Sequence, residues 1–121
     1  MKEGKYNLFI GRWQPPHEGH KKLIDTKINA GEKVCIGIRK TPQDEDNPFT
    51  IDEVIAMWKK FYPNAVVFPE EGDIVLMPMI DVKNVCYGRN PAWGIEEIRL
   101  DEETENISAT DIRRKMKCSK T

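Results

Sequence analysis

Two histidines three residues apart, His17 and His20, mark the segment of this sequence best suited to chemistry. They belong to the run Gly-Arg-Trp-Gln-Pro-Pro-His-Glu-Gly-His at residues 11–20, which follows an apolar stretch and precedes a helical pattern. Residues three apart share a face of a helix. Imidazoles at the start of a helix lie beside free backbone N–H groups and the positive end of the helix dipole, a combination that attracts phosphate. Gly19, between the histidines, lets a ligand approach the backbone closely.

Two alternatives to phosphate binding stay open for the histidine pair. The pair could hold a metal ion, but the metalloprotease pattern His-Glu-x-x-His is absent and no third ligand is evident. The histidines could also be structural residues that stand at this spacing by chance. The run contains neither Gly-x-Gly-x-x-Gly nor Gly-Lys-Ser/Thr, so the ordinary dinucleotide-binding and P-loop motifs are absent.

A second segment with chemical potential is Ile-Ser-Ala-Thr-Asp-Ile-Arg-Arg at residues 107–114. Ser108 is a good N-cap and Asp111 follows three residues later, so we expect a helix to start here. The hydroxyls of Ser108 and Thr110 can donate to phosphate oxygens, and Arg113 can bind them with its planar fork. The plainer interpretation is a capped helix with a basic, solvent-exposed face.

The rest of the sequence predicts the elements that position these two segments. Apolar runs predict strands at residues 6–10, 33–38, 65–68, 74–79, 82–87 and 95–100, and helical spacing predicts helices at 18–30 and 51–61. Strands that alternate with helices are typical of an α/β fold with a parallel sheet and right-handed crossovers. Ligands bind such sheets beyond the carboxyl ends of the strands, which is where residues 11–20 fall.

Composition and charge limit the classes of protein that need to be considered. The chain has 121 residues, 39% hydrophobic and 32% charged, so we expect one globular domain over residues 1–121. A net charge of −1 argues against a nucleic-acid partner, and no apolar stretch is long enough to predict a membrane span. The N-terminus does not resemble a secretory signal, and three widely separated cysteines do not suggest a disulfide framework. We therefore expect a cytoplasmic protein.

Taken together, the two segments resemble the His-x-Gly-His and Ile-Ser-x-Thr-x-x-Arg motifs of the nucleotidyltransferase superfamily, which is cytidylyltransferase-like. The run at residues 11–20 is most similar to the archaeal nicotinamide-mononucleotide adenylyltransferase branch, whose loop reads Gly-Arg-Phe-Gln-Pro-Phe-His-x-Gly-His. Asn-Pro-Phe-Thr at 47–50 and Gly-Arg-Asn-Pro at 88–91 also resemble that branch. The likeness is collinear over residues 6–117.

This resemblance implies the nucleotidyltransferase fold, a Rossmann-like parallel sheet of about five strands with flanking helices. It also implies an enzyme that transfers a nucleoside monophosphate, here AMP from ATP, to a small phosphate-ester acceptor and releases pyrophosphate. Mg²⁺ is expected to be held mainly by the nucleotide, because no carboxylate cluster stands beside the two segments. We also expect a homo-oligomer.

The same resemblance assigns roles to individual residues. His17, His20 and Arg113 are the catalytic candidates, with His20 placed to stabilise the charge that develops near the α-phosphate. The other nucleotide-binding candidates come from the two segments and from the turn after the predicted fourth strand: Gly11, Arg12, Trp13, Gly19, Arg89, Asn90, Pro91, Ser108 and Thr110. Lys40 is a further candidate for contact with a phosphate or with the acceptor.

Two alternative functions stay open. One is a CTP-dependent cytidylyltransferase that acts on a polyol or amino-alcohol phosphate, and the other, of a different class, is a nucleotide-binding module without catalysis. The sequence between Phe68 and Val82 is short for the segment that carries the nicotinamide-side tryptophan of the archaeal branch. We therefore expect weak or no activity on nicotinamide mononucleotide unless a neighbouring subunit completes the site.

Overall fold

The computed structural model of the chain describes residues 5–98. In that range it contains, in chain order, β1 (Tyr6–Gly11), α1 (Glu18–Asn29), β2 (Lys33–Arg39), α2 (Ile51–Phe61), β3 (Val66–Val67) and β4 (Ile74–Met79). The strands form one sheet in the order β1-β2-β4-β3, and every neighbouring pair is parallel. The predicted α/β fold with a parallel, Rossmann-like sheet is confirmed.

Each helix has a clear start and end in the sequence. Thr50 caps α2 by accepting the backbone N–H of Glu53, whose carboxylate in turn accepts the backbone N–H of Thr50. The chain leaves α1 through Gly31, which has a φ of +79° that favours glycine. The boundaries predicted for both helices from helical spacing and from the glycine and proline residues that follow them are therefore confirmed to within a residue.

The core lies on one face of the sheet, where both helices pack. Ile24 of α1 and Val54 and Trp58 of α2 are fully buried against Ile36 of β2 and Leu76 of β4. Alternation along the strands sends neighbouring side chains to opposite faces, so Cys35 and Val75 point away from this core.

The opposite face of the sheet is apolar and is not covered by either helix. Leu8, Cys35, Val75 and Met77 line a groove of about 310 Å³ there, and Leu8 is 50% exposed. Within the described part of the chain, neither helix has the length and apolar character that crossing a membrane requires.

Three predicted strands differ from the structure. The third strand is limited to Val66–Val67, and residues 82–87 and 95–98 form no strand at all, so the described sheet has four strands and not about five. A strand exists only as part of a ladder, and neither segment pairs with an edge of the described sheet. Their apolar residues remain in solvent, including Val85 at 69% exposure and Ile95 at 100%. The prediction of a strand at 82–87 was wrong, and so was the prediction at 95–100 for residues 95–98; residues 99–100 lie outside the described residues.

Candidate active site

The loop between β1 and α1 lies at the carboxyl end of the parallel sheet. It comprises residues 12–17, and α1 begins immediately after it at Glu18. The predicted order of strand, histidine-bearing loop and helix is confirmed. Ligands of open α/β sheets bind at this end of the strands.

His17 is the N-cap of α1. Its backbone is extended, with a φ of −141°, and its Nδ1 accepts the backbone N–H groups of Gly19 at 3.1 Å and His20 at 3.4 Å. These N–H groups belong to the first helical turn, where no backbone carbonyl is available to accept them. The His17 side chain is therefore buried and held in place by the start of the helix.

His20 completes a reciprocal cap. Its Nδ1 accepts the backbone N–H of His17 at 3.2 Å, so each histidine caps the other in the arrangement usually made by Ser or Thr with Glu or Gln. The two imidazoles are stacked, with ring centroids 3.6 Å apart and ring planes inclined by 20°. The sequence placed both histidines at the start of a helix, but it did not predict that they would cap it.

The caps decide where each imidazole carries its proton. A nitrogen that accepts a hydrogen bond has no proton, so each neutral ring carries its proton on Nε2. Burial lowers the pKa of His17, and burial followed by the proximity of His17 lowers the pKa of His20 to about 3. Near neutral pH the pair thus presents two uncharged Nε2–H donors, and neither has a hydrogen-bond partner among residues 5–98.

The Trp13 side chain lies in the core behind the histidines. Its Nε1–H donates to the backbone carbonyl of Gly37 at 3.0 Å, and its ring meets the rings of His20 and Trp58 edge-on, at centroid distances of 4.8 and 5.2 Å. The sequence predicts Trp13 as a nucleotide-binding residue. Because the indole is buried, the backbone of Trp13 is the part that remains available for that role.

Gly11 gives the indole of Trp13 the space it occupies. A Cβ on Gly11 would lie 2.8 Å from Cε2 and Cζ2 of the Trp13 ring, closer than carbon atoms approach without displacement. The glycine at the end of β1 is therefore required for packing of the loop that follows it. The binding of the nucleotide by Gly11 stays a prediction.

Gln14 is a site-forming residue that the sequence analysis did not identify. Its buried side-chain amide donates to the carbonyl of Phe49 at 3.0 Å and accepts the N–H of Phe49 at 2.8 Å. This pair of bonds fastens the loop before α1 to the segment before α2. Both partners lie in the stretches that resemble the adenylyltransferase branch, 11–20 and 47–50, and that shared likeness was the signal available in the sequence.

Three basic residues lie at or next to the carboxyl ends of β1 and β2. Arg12 is exposed. The pKa of Asp44 is lowered chiefly by the backbone N–H of Asn47, which donates to its carboxylate, and the positive charge of Arg12 adds to that lowering. Arg39, which was not predicted, donates from Nε to Asp81 at 2.9 Å. Lys40 is exposed, and its backbone N–H extends the β2–β4 ladder by donating to the carbonyl of Met79.

The other predicted residues are not joined to the histidine pair in the described structure. Arg89, Asn90 and Pro91 are exposed, and Asn90 accepts the backbone N–H of Ala92 in a local turn. Within residues 5–98, no hydrogen bond, ion pair or ring contact connects this turn to His17 or His20. Ser108, Thr110 and Arg113 lie outside the described residues.

The donors at this site suit an anion and not a metal ion. The two Nε2–H groups and the nearby basic residues donate protons at the positive end of the α1 dipole, whereas Mg²⁺ requires oxygen ligands. In the described range, no cluster of three or more His, Cys, Asp or Glu side chains is arranged to hold a metal. The arrangement can bind a phosphate group and stabilise negative charge on it.

Comparison with known proteins gives one family match. The family described as cytidylyltransferase-like matches residues 8–84, which include all six described strands and helices except the first two residues of β1. No solved structure gives a significant match.

Several curated archaeal proteins are similar to parts of the chain, and the three described here are named nicotinamide-nucleotide adenylyltransferase. The protein of Methanococcus aeolicus is 44% identical over 52 residues, which are 41% of this chain and 30% of that protein. The protein of Methanocorpusculum labreanum is 33% identical and that of Caldivirga maquilingensis 32% identical, each over 88 residues, or 71% of this chain and 46% of the relative. The chain therefore spans less than half the length of these relatives.

Proposed function

The chain belongs to the cytidylyltransferase-like family, and from that premise we propose that it is a nucleotidyltransferase that transfers AMP from ATP to a small phosphate-ester acceptor. The observation that carries the proposal is the reciprocal cap of His17 and His20, which aims two Nε2–H donors away from the start of α1. A capped pair of this kind is rigid before any ligand arrives. Rigid donors stabilise developing charge without the cost of reorganisation.

The proposed reaction needs no proton transfer by the protein. An oxygen of the acceptor phosphate, already an anion, attacks the α-phosphorus of ATP, and the bond from that phosphorus to the β-phosphate bridging oxygen breaks. Pyrophosphate leaves with the electron pair of that bond. Because no group must be deprotonated, catalysis consists of positioning and of stabilising charge on phosphate oxygens.

Neutral histidines suit this reaction. Their lowered pKa values keep both imidazoles uncharged, so each contributes a directed Nε2–H donor and no net charge. We propose that His20 donates from Nε2 to an oxygen of the α-phosphate, and that His17 donates from Nε2 to the triphosphate at the positive end of the α1 dipole. Arg12 and Lys40 are proposed to add positive charge at the rim. The β- and γ-phosphates, which leave as pyrophosphate, are proposed to be bound by Ser108, Thr110 and Arg113.

Mg²⁺ is proposed to accompany the triphosphate and is not assigned to a protein-held site. The donor groups around the α1 N-terminus do not supply the oxygen ligands that it prefers.

ATP is favoured over CTP by the likeness of the turn at residues 88–91 to the adenylyltransferase branch and by the names of the relatives. Those names also make nicotinamide mononucleotide the first acceptor to test. The second candidate function is CTP-dependent transfer to a polyol or amino-alcohol phosphate, and it is favoured by the family description itself.

The test is pyrophosphate release from each of the four common nucleoside triphosphates, combined with nicotinamide mononucleotide, glycerol 3-phosphate or phosphocholine. We expect turnover with ATP, and the acceptor that supports it identifies the substrate class. Turnover with CTP alone would replace the proposal by the second candidate. ATP binding by calorimetry without release from any pair would instead indicate a nucleotide-binding module.

A further inference from the structure

The His20 imidazole is held on two sides by other rings. One face is stacked on His17, with centroids 3.6 Å apart, and Trp13 meets it edge-on at 4.8 Å with an interplanar angle of 81°. Its Nδ1 is occupied by the backbone N–H of His17. These three contacts leave Nε2 as the free polar atom of the ring, and together they fix the direction in which its N–H points.

Trp13 is in turn fixed by rigid parts of the fold. Its Nε1–H is bonded to the carbonyl of Gly37 in the middle of β2, and its ring packs against Trp58 of α2. The backbone of Trp13 has a φ of +53°, in the left-handed region that a residue of this size seldom adopts. Gly11 leaves no Cβ where the indole lies. The ring is therefore tied to the sheet and to a second helix, although the residue itself belongs to a loop.

We propose that Trp13 is a positioning residue that holds the His20 imidazole in the plane in which its Nε2–H faces the phosphate site. The inference rests on the proposed function of His20 in nucleotidyl transfer. Trp13 acts through His20 and does not itself touch the substrate with its side chain. The hydrogen bond from the indole to Gly37 transmits the rigidity of β2 to the histidine.

This role makes Trp13 different from a residue that only fills the core. If the indole is replaced by an aliphatic side chain, the imidazole of His20 loses its edge-on ring contact and gains room to rotate. Its Nδ1 then loses the backbone N–H of His17, and the proton is shared between both nitrogens. Catalytic donors must be held close to the productive geometry, so such rotation lowers turnover more than it lowers nucleotide affinity.

The test compares Trp13→Leu with Trp58→Leu. Both variants remove one buried indole from the same pair of rings, but Trp58 is not in ring contact with His20, and its replacement leaves the hydrogen bond from Trp13 to Gly37 in place. The readouts are the ¹⁵N chemical shifts of the imidazole of His20, which report its tautomer in the free protein, and the kcat and KM for ATP. Wild type serves as the reference for both.

For Trp13→Leu we expect the ¹⁵N shifts of His20 to move toward those of a ring that exchanges between tautomers. We also expect kcat to fall about ten- to a hundredfold while the KM for ATP changes little. Trp58→Leu leaves the hydrogen bond from Trp13 to Gly37 intact and is expected to change the shifts and kcat much less, even where its melting temperature is lower. Equal changes in the ¹⁵N shifts of both variants, or no change in Trp13→Leu, would overturn the inference.

A second variant displaces the indole without removing it. Gly11→Ala places a methyl group 2.8 Å from the Trp13 ring, so the same change in the ¹⁵N shifts of His20 is expected, and unchanged shifts would contradict the inference.

The shifts also separate this inference from the proposed function. If no variant or wild type releases pyrophosphate but the shifts change as described, the positioning role stands and the proposed reaction fails.

Discussion

His17 and His20 each accept the backbone N–H of the other through Nδ1, at 3.4 and 3.2 Å. The atoms that stabilise the start of α1 are thus the atoms that force the proton of each ring onto Nε2. Structure and proposed chemistry therefore use opposite nitrogens of the same two rings. Substitutions can separate the two roles, because other side chains can cap a helix without presenting an imidazole.

His17→Asn is expected to retain stability and lose function. Asparagine is among the best N-cap residues, so its side-chain oxygen can replace Nδ1 as the acceptor for the first helical turn. It does not reach the position of the imidazole Nε2–H, and we expect weaker ATP binding by calorimetry with a melting temperature at or above that of wild type.

The matched control is His17→Ala, which removes the cap as well as the donor. It is expected to lower the free energy of unfolding by about 1 kcal/mol relative to His17→Asn. If His17→Asn binds ATP and turns over as wild type does, His17 is a cap alone.

His20→Ala is expected to lower kcat about a hundred- to a thousandfold, or roughly 2.7–4 kcal/mol of transition-state stabilisation, with ATP affinity nearly unchanged. The structure adds that alanine also removes the acceptor for the backbone N–H of His17. His20→Gln restores that acceptor, since Gln is the usual partner at this position of a capping box. Its melting temperature should therefore exceed that of His20→Ala.

Steady-state kinetics and thermal melts on the alanine and glutamine variants decide this prediction. A kcat for His20→Gln that remains low while stability recovers would place the defect in the chemistry. Recovery of kcat in parallel with the melting temperature would show that His20 acts only on the fold.

Stability should fall as the pH drops below 6.5. The folded protein holds the pKa of His20 near 3, below its ordinary value of 6.5, because the ring is buried. The unfolded chain therefore binds more protons between these two values, so the free energy of unfolding decreases with decreasing pH. His20 alone accounts for about 1.6 kcal/mol between pH 6.5 and about pH 5, and His17 acts in the same direction.

Urea unfolding between about pH 7 and pH 5 measures this dependence, in a range where most carboxylates stay ionised. His17 and His20 are the two histidines of the chain, so the double variant His17→Asn with His20→Gln contains none. It should show a much flatter profile. Equal slopes for the two proteins would mean that the imidazoles are accessible to protons in the folded state.

Gln14→Ala is expected to destabilise the fold by about 1–3 kcal/mol, because it leaves both backbone groups of Phe49 without their partners. Gln43→Ala is the matched control, since Gln43 is exposed and makes one hydrogen bond to the carbonyl of Pro48 in the same segment. Its effect should stay within about 0.5 kcal/mol. Equal unfolding midpoints in urea for the two variants would contradict the role of Gln14 as a fastening between the loops.

Sequence reasoning predicted the elements whose signals are local. The start of α1 after residue 17 follows from helical spacing, and its end shortly before Gly31 follows from a glycine that adopts a positive φ. Residues 82–87 show where the same reasoning fails, because apolar content predicts a strand only if an edge is available to pair with it. That availability is a property of the whole sheet and is not visible in a window of six residues.

The site was predicted in position but not in detail. The residue types and the loop–helix junction pointed to His17 and His20, yet histidine is not among the residues expected at an N-cap, so their mutual caps could not be foreseen. The position of Trp13 inside the loop predicts a place in the ligand site, but its indole turns back into the core. The direction of a side chain in an irregular loop depends on its φ, which the sequence does not reveal.

The contact between Trp13 and Trp58 also gives the protein an intrinsic fluorescence probe. The chain has three tryptophans; two form a buried pair 5.2 Å apart, and Trp93 is 75% exposed. Excitation absorbed by either paired indole can pass to the other, and Trp13 contacts the ring of His20, which is proposed to bind a phosphate. In the variant Trp93→Phe, which lacks the exposed indole, the remaining tryptophan fluorescence comes from Trp13 and Trp58. Its intensity and emission maximum should change with ligand occupancy of the candidate site, so binding can be followed without an attached dye.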